Sequence, residues 1–77
     1  MNENDITICL RRMMQQYFND LDGEKPSGLY EMVLSNIEKP LLEVVLHHAE
    51  GNQTIAAEYL GINRHTLSKK MKAHGLK

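Results

Sequence analysis

From Ile6 to Leu21 the apolar side chains fall at Ile6, Leu10, Met13, Met14, Tyr17, Phe18 and Leu21. This three/four spacing draws one stripe along a helix and predicts the first element, with Asp5 as its N-cap. The stretch Asp22 to Ser27 (DGEKPS) places Gly and Pro among polar residues and predicts a loop. Ser27 is the expected cap of a second helix running to about His48. Its apolar residues do not make a single stripe: Tyr30, Val33, Ile37, Leu41, Val44 and Val45 share one side, whereas Leu29, Met32, Leu42 and Leu46 spread around the cylinder. Such a helix needs cover on more than one face. Pro40 lies inside it, where it removes the bond to the carbonyl of Asn36, so either a kink or a junction of two abutting helices is expected there.

Gly51 follows the apolar pattern and suits the left-handed conformation that ends a helix, and Asn52 can cap the next. From Gln53 to Leu60 the inward positions are Ala56, Ala57 and Leu60. The paired alanines let another helix approach closely. Gly61 turns the chain without a long loop, Ile62 fills the corner, and Asn63 can cap a last helix whose Leu67 and Met71 point inward. The opposite face of that helix is His65, Ser68, Lys69 and Lys72. The spacing of Ala57, Gly61, Ile62 and Leu67 predicts a helix-turn-helix over residues 52–74; an ordinary helical hairpin in a small bundle is the competing reading. No stretch carries a strand signal, so the expected class is all-α, a single domain over residues 1–77 with four helices.

Charge decides between those two readings. The net charge of -1 conceals a polarity: residues 1–50 hold four basic and nine acidic side chains, whereas residues 51–77 hold Arg64, Lys69, Lys70, Lys72 and Lys77 against Glu58 alone. A basic outward face on the second helix of a helix-turn-helix suits double-stranded DNA. Arg64, in the first turn, can pair with guanine or reach a phosphate; Asn63 can read a base or serve only as a cap. Asn52 and Thr54, at the start of the supporting helix, can offer polar groups to a phosphate, with capping again the alternative. His65 suits a groove or phosphate contact, and His74 can cover the core near the C-terminus.

The chain is short. Seventy-seven residues bury little surface in one copy, and with helix two uncovered on several faces a second copy of the chain is the expected cover. Residues 5–48 are then dimerisation helices. Cys9 is the single cysteine, and no Cys/His spacing resembles a zinc site; no metal, cofactor or small-molecule ligand is expected. No apolar run reaches a membrane span and the acidic MNENDIT is no signal peptide, so a cytoplasmic protein is expected. None of His47, His48, His65 and His74 is spaced with a nucleophile or carboxylate set, which argues against an enzyme. A different class of function is an adaptor that meets a protein through the acidic half, at Asp20, Asp22 and Glu24. Reversing Lys69 and Lys70 to Glu separates the two, since only a DNA binder would lose its ligand.

The segments LYEMVL, EKPLLEVVL, GNQT, GINRHTL and KKMKAHGL, with the helix-internal Pro40, resemble the Fis (factor for inversion stimulation) family of bacterial nucleoid proteins from about Ile8 to Lys77. A looser likeness joins the ending to the helix-turn-helix of enhancer-binding activators. The Fis resemblance implies an intertwined homodimer whose first two helices form the shared core and whose last two bind DNA. It further implies a transcription regulator associated with the nucleoid that accepts degenerate sites and bends them. By position, Asn52 and Thr54 would meet phosphate, Asn63 and Arg64 bases, and Thr66, Lys69 and Lys70 the backbone. Ser68 and Glu50 stand where Fis has arginines, and only about seven residues precede helix one where Fis has a longer activating arm. The expectation is therefore DNA binding without invertase activation, at weaker affinity or with different flanks.

Overall fold

The computed structural model describes residues 3–76. Four helices follow in order: α1 (Glu3–Leu21), α2 (Leu29–His48), α3 (Gln53–Leu60) and α4 (Arg64–Ala73), and none of the described residues lies in a strand. The all-helical architecture expected from periodicity is the one that forms.

Two local expectations change, and one of two alternatives falls. Helix α1 begins at Glu3, so Asp5 lies inside its first turn and is not its cap. Helix α2 is capped by Gly28 in the left-handed conformation with no side-chain bond, in place of Ser27; the Gly28 carbonyl accepts from the Met32 amide at 3.1 Å. At Pro40 the alternative of two abutting helices falls, because one helix runs from Leu29 to His48 with the proline inside it, as the first alternative expects. The ring removes one donor but leaves the rest of the ladder, and Pro40 lies on the exposed side where water can satisfy the freed carbonyl.

The core belongs to the C-terminal half. Leu42, Ala49, Ala56, Ala57, Leu67 and Met71 are buried together, with Val45, Leu46, Leu60, Ile62 and Leu76 packed against them. Ala56 and Ala57 hold the centre because α3 is pressed between α2 and α4, and only a methyl group fits at such an approach. In α1 no residue with a described side chain is buried. Leu10, Met14, Tyr17 and Leu21 are half-covered, whereas Ile6, Ile8, Met13 and Phe18 lie open.

A stripe on α2 is also left uncovered. Tyr30, Leu34, Ile37, Leu41 and Val44 recur at alternating four- and three-residue steps and are 77%, 47%, 44%, 49% and 57% exposed. Compactness reports the same deficit. The radius of gyration is 15.1 Å, against about 11–12 Å for a compact chain of this length. The accessible surface is 6370 Å², against roughly 4,800 Å² for a compact monomer of this mass.

Candidate nucleic-acid interface

Two asparagines shape the site. Asn52 caps α3 by accepting the Ile55 amide on Oδ1 at 3.1 Å, and Asn63 caps α4 by accepting the His65 amide at 2.6 Å. Each short polar side chain replaces a carbonyl that the first turn lacks. The cap also fixes the direction of the Asn63 carboxamide. One lone pair of Oδ1 is engaged by the cap, whereas the second lone pair and both amide donors of this exposed side chain stay open to a base edge. Asn63 thus serves as a cap and keeps both donor and acceptor capacity.

Between the caps lies the turn. Gly61 takes φ +73°, and the amide of Ile62 reaches back to the Ala57 carbonyl at 3.1 Å. This closes α3 with a left-handed residue followed by an apolar one, and Ile62 packs on the core as expected. No heavy atom lies within 4 Å of where a Cβ on Gly61 would stand, so glycine is required there by backbone conformation and not by crowding. Helix α4 ends in the same way: the Leu76 amide bonds the Met71 carbonyl at 2.7 Å and Leu76 packs on the core.

Leu67, fully buried, and Met71, 3% exposed, pin α4 against α3 and leave its outer face in solvent. Arg64, His65, Thr66, Lys69 and Lys72 are exposed on that helix, and Ser68 is half-buried at its flank. Asn52 and Thr54 are exposed at the start of α3, where the first amides have no helical acceptor. The residues expected to contact DNA other than Lys70 therefore lie at the starts of α3 and α4 and along the solvent side of α4.

Lys70 is the exception. It is half-buried, and its Nζ donates to Glu38 Oε2 on α2 at 2.8 Å, while Glu38 Oε1 lies 2.8 Å from His74 Nε2. The hydrogen bond from Lys70 and then that from His74 hold the Glu38 carboxyl below its ordinary range, against an opposing push from burial. His74, expected to cover the core, does sit nearly buried with its side chain 9% exposed, but it is also a polar clamp. Neither spacing nor charge in the sequence singles out Glu38. Its only sequence signal is a carboxylate one helical face away from the apolar stripe, which many solvated residues share.

Among the described residues, no three His, Cys, Asp or Glu side chains gather as a metal site, and no helix is long and apolar enough to cross a membrane.

The helix-turn-helix packed on α2 defines a class, that of bacterial regulatory proteins with a helix-turn-helix. The chain belongs to one family within it: the description "Bacterial regulatory protein, Fis family" matches residues 33–74, more than half its length and the whole of the buried core through Met71. Similar proteins include a Fis-like DNA-binding protein of Ralstonia nicotianae, 55% identical over 99% of both chains. A Fis-like DNA-binding protein of Neisseria meningitidis is 51% identical over 94% of this chain and 91% of its own. The DNA-binding protein Fis of Glaesserella parasuis is 51% identical over 87% of this chain and 68% of its own. The family is one of regulators and not of enzymes.

Proposed function

We propose that the protein is a homodimeric, DNA-bending regulator of the Fis type, which binds double-stranded DNA with broad sequence tolerance and associates with the nucleoid. The observation that carries the DNA reading is the exposed face of α4, where Arg64, His65, Lys69 and Lys72 stand over a buried Leu67 and Met71 in an otherwise acidic chain. A helix held by its inner face and basic on its outer one can enter the major groove with its first turn toward bases and its lysines toward phosphates.

Arg64 and Asn63 are then the base readers, Arg64 through its fork of donors and Asn63 through the lone pair and amide donors that its cap leaves open. Few base contacts and many phosphate contacts favour tolerance over sequence specificity. Asn52 and Thr54 add phosphate contacts at the start of α3, and Thr66 and Lys69 add them on α4. Ser68, half-buried and uncharged, supplies at best a hydroxyl.

Support for the dimer comes from surface. The excess of roughly 1,600 Å² over a compact monomer is of the size one subunit buries in a large obligate interface. The open stripe from Tyr30 to Val44 has the alternating spacing by which one helix packs along another. The apolar groove between α1 and α2, lined by Leu10, Met13, Tyr17, Met32, Val33 and Ile37, continues that surface. Two copies would close it. Bending follows from joining two recognition helices through so short a core, and flexible sequence between half-sites would be read by its deformability.

The test combines duplex retardation over a salt series with sedimentation. Binding should weaken steeply with salt, Lys69→Glu should abolish it, and the free protein should sediment as a dimer at micromolar concentration. Affinity indifferent to both salt and Lys69→Glu would overturn the DNA reading, and a folded monomer would overturn the dimer.

A further inference from the structure

Going round α4 at about 100° per residue from Leu67, Lys69 and Lys72 fall opposite the core, whereas Lys70 and His74 fall beside it. Those two residues lie one helical turn apart, so the two oxygens of one carboxylate can meet both. Glu38 does so, at 2.8 Å to each. Among the described residues these are the side-chain bonds that cross from one helix to another; the others lie within a helix or at its cap.

We infer that Glu38 is a positioning residue for DNA recognition, which withholds Lys70 from the phosphates and fastens the last turn of the recognition helix to α2. This rests on the DNA-binding reading above and refines its contact set. A phosphate oxygen and a carboxylate oxygen compete for the same ammonium. Glu38 is already in place on the neighbouring helix, it is held from a second side by His74, and Lys70 points toward it and away from the groove-facing side. The recognition helix therefore presents two working lysines, Lys69 and Lys72, and its far end is tied to the helix that carries the open apolar stripe.

The dependence of DNA affinity on salt reads the idea directly, because each phosphate contact adds about 0.9 to the slope of log affinity against log salt. Lys69→Ala should make the slope shallower by about that amount per subunit, whereas Lys70→Ala should leave it unchanged. Glu38→Ala should release Lys70 and steepen the slope by about 0.9 per subunit. Glu43→Ala removes the same charge from an exposed position on the same helix that makes no ion pair among the described residues, and should not steepen it. Adding Lys70→Ala to Glu38→Ala should return the slope to the wild-type value, a reversal that loss of a merely structural brace would not give.

A Lys70→Ala slope as shallow as that of Lys69→Ala would overturn the inference, and this comparison decides even if Glu38→Ala does not fold. So would a Glu38→Ala slope no steeper than wild type. In DNA-free protein, a double-mutant cycle on the melting temperature of Glu38 and Lys70 should show coupling. Its absence would sink the inference alone, whereas a folded wild type that binds no duplex would sink the functional reading.

Discussion

Glu50 occupies a position that its residue type disfavours, and replacing it should separate backbone from charge. At the end of α2 its φ is +55°, its amide donates to the His47 carbonyl at 3.1 Å, and the next amide, of Gly51, donates to Leu46 at 2.9 Å. This pair of bonds closes the helix only if the residue at Glu50 is left-handed. An L side chain costs about 1–2 kcal/mol there, and glycine removes most of that while adding some freedom to the unfolded chain, leaving a net gain near 1 kcal/mol for Glu50→Gly. For a domain of this size that is a rise in melting temperature of about 4–8 °C. Glu50→Ala removes the same charge but keeps a Cβ, so it should melt close to wild type. Thermal unfolding by circular dichroism at one protein concentration makes the comparison. If the alanine variant gained as much as the glycine variant, the stabilisation would come from charge and the conformational account would be wrong.

DNA binding should sort the same two variants the other way. Glu50 lies two residues before the Asn52 cap, beside the amides proposed to receive a phosphate. Both substitutions remove a repelling charge there, so both should tighten binding equally, and more at low salt than at high.

Leu67→Ala empties the centre of the helix-turn-helix core, where Leu67 is 0% exposed, and should cost about 2–5 kcal/mol in a denaturant titration. Leu41→Lys places a charge on the open stripe and should weaken self-association by about tenfold or more in sedimentation, since burying a leucine contributes about 1.5–3 kcal/mol. Acid should act through Glu38: its folded carboxyl lies below the ordinary value of 4.5, so it binds a proton less readily than in the unfolded chain. Its contribution is complete above that value and is lost as pH falls through the lower folded one; Glu38→Gln should flatten the acid limb of a stability profile.

How much of this was legible in the sequence follows from the range of each interaction. The caps at Asn52 and Asn63, the turn at Gly61 and the inward Ala56, Ala57, Leu67 and Met71 all act within one or two helical turns, and spacing alone located them. The start of α2 falls one residue later than Ser27 suggests because Ser27 and Gly28 both suit a helix entrance, and the backbone there adopts a left-handed turn that only the second takes cheaply. The start of α1 falls earlier than the apolar stripe suggests because polar residues before such a stripe can join a helix without leaving any periodicity. The Glu38 clamp spans 32 and 36 residues to its two partners. A polar residue on a helix carries no mark of which distant cation it will meet, so that contact could be found only once α4 had been set against α2.

The fates of Leu41 and Leu42 show why the two halves of the molecule are coupled. These neighbours are 49% and 1% exposed, about 100° apart on the same helix. The stripe from Tyr30 to Val44 and the core-facing row of buried Leu42 and Ala49 with partly buried Val45 and Leu46 therefore overlap along the helix axis between residues 41 and 45, about 100° apart around it. A helix is stiff over so short a length, so whatever covers the stripe is held at a set angle to the core that positions α4. Pro40 lies just before this overlap, and the Glu38 clamp reaches α4 from the turn before it. If a second copy covers the stripe, the separation of the two recognition helices is set by the cross-section of α2 and its packing, with no flexible linker between. A dimer so built cannot adjust to the spacing of straight DNA by loosening a tether; the duplex has to supply the adjustment, which is the physical reason to expect bending from this fold.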